Sequence, residues 1–437
     1  MATILQNQLF VWSDYENNDD FYKLNVILSN LPDEALMKKL EKKRGLSGVN
    51  KYPVRAIWNS LIAMVVYEHL SIESLRRELK RNPLLREVCG FSLMAGLDAV
   101  PTSGAYSRFI KNITEHMDEI EHIFKSLVKQ CYEELPGFGK HIGIDGKAIQ
   151  SYAKKQGSSS NDNRGDCDAT WGKHIYTWKD ENSKIHEKKK TWFGYLAHII
   201  ADTTYELPIL FDLDTANSSE IKKAYELIDT MASESPEYLK RCEYFTGDKG
   251  YDATELHKTL WYTHIIKPII DIRHSWKNGE KTRAYEKHYG VVYDNKGTVS
   301  CICPKTKKMR DMAFKGFEKK RNCLKYVCPS KHYGFHCEGC KDCTIPRQIR
   351  IPLKENIRIF TPVARSSYKW KRLYNHRTAL ERINSRIDNV FGFENHTIRG
   401  LTKMKFRITL AFIIMQSFAL GKVREGKEKE IRQFLTA

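Results

Sequence analysis

The spacing of apolar residues changes near residue 140, and this change constrains the fold more than any other feature of the chain. Up to about residue 135 the spacing is helical. "YPVRAIWNSLIAMVVYEHL" has a broad apolar stripe, "SIESLRRELKRNPLLREVCGF" opens on a serine cap, and "PTSGAYSRFIKNITEHMDEIEHIFKSLVKQCYEEL" follows a proline. In "KHIGIDGKAI" the period becomes two: Ile142 and Ile144 alternate, and the strand ends on Asp145. A helical region therefore precedes an α/β region. Short basic helices with tight connections suit a helix-turn-helix-like DNA-binding unit, although a plain helical packing domain has the same pattern.

After Asp145, a basic, Ser/Asn/Gly-rich stretch from Lys154 to about Lys190 reads as a loop. "WFGYLAHIIADTTYELPILFDLDTA" reads as two strands joined near "ADTTYEL". "NSSEIKKAYELIDTMA" is a helix with a capping box from Asn217 to Glu220. "CEYFTGDKGYDATELHKTLW" gives a fourth strand and a helix capped by Asp252 with Glu255 three residues on, and "THIIKPIIDIR" gives a further strand. Three strands in a row, followed by alternating helix and strand, predict a mixed sheet with helices packed on it. The 437 residues divide into 1–135 (helical, DNA-binding), 136–275 (first part of the α/β domain), 276–360 (cysteine-rich) and 361–437 (helical).

Lys and Arg total 72 against 53 acidic residues, a net charge of +19. The basic residues recur along the whole chain with aromatics interleaved, as in "YKWKRLYNHR". A polyanion partner follows, because each neutralised phosphate releases condensed counterions. Apolar runs such as "LAFIIM" at 410–415 are far shorter than the roughly 20 residues of a bilayer span. The first twenty residues lack the basic and apolar regions of a secretory signal. The expectation is a cytoplasmic protein with no membrane partner.

Seven of the eleven cysteines fall within 301–343, in "CICP", "NCLKYVCP" and "HCEGCKDC". Such close pairs, two of them followed by proline, look like zinc-ribbon knuckles. The ligand pool is Cys303, Cys328, Cys337, Cys340 and Cys343, with His332 or His336 as substitutes. Cys89, Cys131, Cys167 and Cys242 are scattered and read as structural.

Asp248 sits between Gly247 and Gly250 where a strand opens into a helix, the mouth at which α/β proteins place their chemistry. Asp145 ends another strand of the same sheet. In "YNHRTALERINSR", Tyr374, Arg377, Glu381 and Asp388 fall on one helix face. Converging carboxylates repel unless a cation joins them, and Mg²⁺ or Mn²⁺ suits such oxygen ligands and keeps waters for a phosphate substrate. Taken alone, Glu381 reads as a solvated surface residue paired with Arg377.

With these motifs in order, the chain resembles the DDE superfamily of bacterial insertion-sequence transposases. The matching residues are "GIDGKAI" with Asp145, "TGDKGYD" with Asp248, and the Tyr-x-x-Arg-x-x-x-Glu run ending on Glu381. The family's Lys after that run is here Asp388, so a DNA contact at that position is not carried over. The N-terminal helices and the cysteine-bearing segment are also similar to those enzymes. The resemblance implies a ribonuclease-H-like catalytic domain and two-metal cleavage of double-stranded DNA at element ends. It also implies strand transfer into target DNA. Asp145, Asp248 and Glu381 would hold Mg²⁺ or Mn²⁺, while Tyr374 and Arg377 would position DNA or the third carboxylate. A homodimer on DNA, associated with the nucleoid, is expected. Two readings stay open beside it: a silent DNA-binding derivative, and a ribonuclease-H-like nuclease without strand transfer.

Overall fold

The computed structural model describes residues 19–44, 51–154, 165–179, 185–273, 275–276 and 280–433. Helices come first: α1 (Asp19–Ser29), α2 (Glu34–Arg44), α3 (Val54–Val66), α4 (Ile72–Arg81), α5 (Pro83–Cys89), α6 (Ser103–Thr114) and α7 (Met117–Glu134). Their starts follow from local chemistry. The Ser71 side chain accepts from Ser74 N, Asn82 from Leu85 N with Pro83 at the first helical position, and Thr102 from Ala105 N. The long stretch after Pro101 is two helices, because the chain breaks at Glu115 and His116.

The α/β part runs β1 (His141–Gln150), β2 (Thr170–Lys179), β3 (Ile185–Asp202), β4 (Leu207–Thr215), α8 (Glu220–Glu234), α9 (Pro236–Arg241), β5 (Tyr244–Gly247), α10 (Thr254–Lys258) and β6 (Lys267–Ile270). β1 and β4 flank the C-terminal half of β3, both antiparallel to it, and β5 and β6 continue the sheet parallel to β1. The expected β3–β4 hairpin is present, with its turn at 203–206. Part of the stretch read as a loop is strand instead. β2 pairs with residues 185–194 of β3, so β3 is 18 residues long and extends the sheet as a ribbon. Such a ribbon escapes a reading based on buried alternation because it buries little: Trp171 and Ile175 are exposed. Residues 155–164 and 180–184 of that stretch lie outside the described residues.

Both predicted capping boxes are displaced. α8 is capped by Ser219, whose Oγ accepts from Lys222 N, leaving Glu220 at the first helical position rather than in a capping role. α10 follows Ala253 with no side-chain cap. The Asp252 carboxylate is instead taken by Arg358 (Nη2 to Oδ2, 2.7 Å), the Arg273 amide and His257, in a fully buried position.

The cysteine-bearing segment carries β7 (Thr282–Ala284), β8 (Val291–Asp294), β9 (Val299–Ile302), β10 (Met309–Asp311), β11 (Ala313–Glu318), β12 (Cys323–Val327), α11 (Pro329–Tyr333) and β13 (Gln348–Pro352). Two small antiparallel sheets, β10-β9-β8-β7 and β11-β12-β13, pack around Trp261, Tyr326, Ile351 and Phe360. The chain then returns to the main core through α12 (Tyr368–Tyr374), α13 (Thr378–Asn389) and α14 (Leu401–Arg424).

α14 is long and apolar enough to cross a membrane by length and composition, although no single apolar run within it is; 89% of its apolar window is buried. It packs against α7, α1 and β4. Gln416, fully buried, accepts from Cys131 Sγ on α7 (2.9 Å) and donates to the Pro208 carbonyl on β4. One apolar core therefore runs from Phe21 through the sheet to Ile431.

Candidate active site

Strand register sets the first two carboxylates. β1 and β5 pair in parallel with Gly143 opposite Thr246, so Asp145 and Asp248 each lie two residues beyond that pair. With strands about 4.8 Å apart and side chains alternating, the two carboxylates project side by side from the same face. Burial, and then the facing Asp248, push the Asp145 carboxyl up to about 6.

Asp248 starts a 3₁₀ turn, Lys249–Tyr251, and its Oδ1 accepts from Gly250 N at 2.6 Å. Arg273 clasps that turn by donating to the carbonyls of Lys249 and Gly250. Arg358 in turn donates to the Arg273 carbonyl and pairs with Asp252, tying the turn to the cysteine-bearing segment. At Gly250 a Cβ would stand 2.6 Å from Asp248 Oδ1 and 2.8 Å from Glu220 Oε2, so a side chain there would push both carboxylates from their places.

α13 runs along the face of β1 that carries Asp145. A Cβ on Gly143 would come within 2.9 Å of Leu380, Asn384 Nδ2 donates to Asp145 Oδ2 at 2.8 Å, and Lys147 pairs with Asp388. Glu381 lies on this helix between those contacts. Its side chain is half exposed and ion-paired with Arg377, whose charge also lowers the pKa of Asp145. Tyr374 stacks on Trp370 with ring centroids 4.7 Å apart. Burial, with Asp271 close by, pushes the Tyr374 phenol up to about 12; Arg377, Asp248 and Glu381 also surround it.

The one-helix reading of this segment needs correction. α12 ends at Tyr374 and a 3₁₀ turn, Asn375–Arg377, precedes α13, although the junction residues keep right-handed helical angles. The structure thus brings Asp145, Asp248, Tyr374 and Arg377 into one neighbourhood and sets Glu381 at its rim. It also adds residues the sequence reading missed. Asn384, three residues after Glu381, carried a helical-spacing signal. Lys147 stood next to the "IDG" motif. Glu220 was hidden by its capping-box spacing.

Among the described residues, no three His, Cys, Asp or Glu side chains are gathered as a ready metal cluster. The donors nonetheless fit a hard divalent cation: carboxylate oxygens line the site, and the buried Tyr251 hydroxyl beside them lacks a hydrogen-bond partner. The cysteine pool is less uniform. The Cys303 thiol accepts from the hydroxyl and amide of Thr306 and the amides of Lys305 and Gly339, which pull it down to about 6. Cys337 adjoins Cys303 and Cys340, while Cys301 neighbours Cys328, Cys343 and Cys337. Cys323 sits apart in β12, buried against Glu318.

A comparison with curated proteins finds no match. Among solved structures, a cryo-EM structure of a piggyBac transposase synaptic complex with hairpin DNA aligns over 97% of this chain and 86% of that one. At a TM-score of 0.29 and 12% identity, that likeness carries no weight. The family described as Transposase DDE domain matches residues 137–416, which span the sheet, the cysteine-bearing segment, α13 and most of α14. The chain belongs to the Transposase DDE domain family.

Proposed function

We propose that this transposase cleaves DNA at the ends of a mobile element of the bacterial insertion-sequence type and joins the freed 3′-OH to target DNA. Asp145, Asp248 and Glu381 hold Mg²⁺ or Mn²⁺ in this reading. The observation that carries it is the register of β1 and β5, which sets Asp145 and Asp248 side by side under α13. The strand order β4-β3-β1-β5-β6, three antiparallel strands followed by two parallel to β1, supports a ribonuclease-H-like domain. When bound, the two cations would activate the attacking oxygen and stabilise the leaving one. Asn384 orients the Asp145 carboxylate through its amide. Arg377 pairs with Glu381 while its charge also acts on Asp145, so it can release Glu381 and take a backbone phosphate. Tyr374, stacked on Trp370, offers its hydroxyl to DNA at the same rim.

The basic N-terminal helices, residues 1–135, supply the remaining duplex contacts in this reading, and two copies acting on paired ends form a dimer at the nucleoid. A structural zinc in the cysteine-bearing segment is supported by the amide-rich setting of Cys303 beside Cys337. The deciding experiment incubates the protein and Mg²⁺ with DNA flanking its own gene and a target plasmid. Nicked ends joined to the plasmid are expected. Nicking without joining would make it a nuclease, and binding with neither would make it a silent DNA-binding protein.

A further inference from the structure

Glu220 is an acidic residue near the two aspartates to which no role has yet been given. It reaches them from the other side of the sheet, from the first turn of α8, a helix whose capping is done by Ser219. Two glycines make room for it. A Cβ on Gly146, the residue after Asp145, would stand 3.1 Å from Glu220 Oε1, and a Cβ on Gly250 would stand 2.8 Å from Glu220 Oε2. The carboxylate is thus seated between the backbones that follow the two aspartates, with each oxygen turned toward one of them. Among the described residues no ion pair or hydrogen bond to another side chain accounts for this placement, and Asp248 and Arg273 are its charged neighbours.

A second observation points to a ligand at the same place. Tyr251 is 1% exposed, its hydroxyl has no partner among the described residues, and that hydroxyl would stand 3.6 Å from the Gly146 Cβ position that Glu220 Oε1 also approaches. Glu220, Asp145 and Asp248 are the charged groups around it. A buried hydroxyl left unpaired is costly, so its position is explained by something it can bond to.

We propose that Glu220 is a fourth metal-holding carboxylate, sharing a divalent cation with Asp248, and that the Tyr251 hydroxyl hydrogen-bonds a water of that ion. The inference rests on the metal-dependent reading of Asp145 and Asp248. A hard cation that keeps several waters requires both anionic oxygens and a neighbouring polar group to hold a water. Tyr251 is then a positioning residue, and Glu220 a ligand.

The test measures Mn²⁺ binding by the full chain without DNA, by electron paramagnetic resonance of free Mn²⁺ and by calorimetry. Glu220→Gln, which keeps shape, is expected to weaken one Mn²⁺ at least tenfold. Tyr251→Phe is expected to keep the stoichiometry and weaken the same ion several-fold. Circular dichroism checks that both variants fold. Asp145→Asn and Asp248→Asn serve as references. If they weaken Mn²⁺ and Glu220→Gln does not, the fourth ligand is overturned and the metal reading stands. If none of the four variants changes Mn²⁺ binding, the metal reading itself fails.

Discussion

Asp145 illustrates what a single residue pays for its place in this site. Its carboxyl is pushed from 3.8 to about 6 by burial, then by Asp248. A carboxyl raised on folding favours the protonated state, so its contribution is full below pH 4 and is lost as pH rises through about 6. In EDTA, Asp145→Asn should therefore be more stable than wild type at pH 7, by at most about 3 kcal/mol from a shift of about two units. That advantage should close between pH 6 and 4, as followed by urea unfolding across pH. The same variant, like Asp248→Asn, should lose Mg²⁺-dependent nicking while binding DNA within a few-fold of wild type; wild-type cleavage by either would remove it from the site. At the rim of the site, Glu381→Gln should abolish cleavage and strand transfer with little change in stability, since its carboxylate is half exposed. Asp388→Asn should keep most activity, because its partner is Lys147 rather than either aspartate. A dead but folded Asp388→Asn protein would move the third ligand.

At the scale of elements, the turn that carries Asp248 is held from outside its own sheet. Arg273 clasps its carbonyls, and Asp252 with Arg358 fastens Arg273 to the cysteine-bearing segment. The Asp252 side chain is fully buried, so removing Arg358 would leave its charge with only the Arg273 amide and His257 as partners. Arg358→Met is expected to cost about 3 kcal/mol in chemical denaturation. It should also slow cleavage beyond what stability explains, because the turn holding Asp248 loses its tether. A fully stable variant would show that the ion pair is dispensable. The β1–α13 contact works differently, by close approach. Gly143 lets Leu380 reach the strand, and this sets Asn384 at hydrogen-bonding distance from Asp145.

For the whole molecule, charge and metal make separate predictions. With a net charge of +19, affinity for arbitrary duplex DNA should fall at least a hundredfold between 50 and 200 mM salt, about what four or more phosphate contacts give. Filter binding at several salt concentrations measures the slope, and a flat line would assign the surplus charge elsewhere. Purified protein should carry about one zinc per chain. Its chelation should raise hydrogen exchange in residues 300–345 before exchange in the main sheet, because the two regions have separate apolar cores. Zinc-free protein with an equally protected segment would remove the zinc. α14 makes the opposite point about independence. It lies between the N-terminal helices and the sheet, so those two regions share one core.

Local chemistry determined the elements that rest on short-range patterns. The alternation at Ile142 and Ile144, the hairpin before "PILF" and the serine cap of α4 are legible because period and capping are set within a few residues. Asp248 stood out as a carboxylate at a strand end for the same reason, whereas Asp145, read as ending its strand, lies in the middle of β1 because pairing with β3 carries that strand on to Gln150. Capping boxes proved ambiguous where a distant partner competed. Arg358, 106 residues away, takes the Asp252 carboxylate that spacing assigned to a helix start. Glu220 carries the same spacing signal, and its carboxylate is seated between Gly146 and Gly250 by the packing of α8 on the sheet. The β2 ribbon was missed because it buries too little to impose a pattern. Only the tertiary structure decided which strands adjoin, and so which acids meet, because the β1–β5 register joins residues 103 apart with no local signal between them.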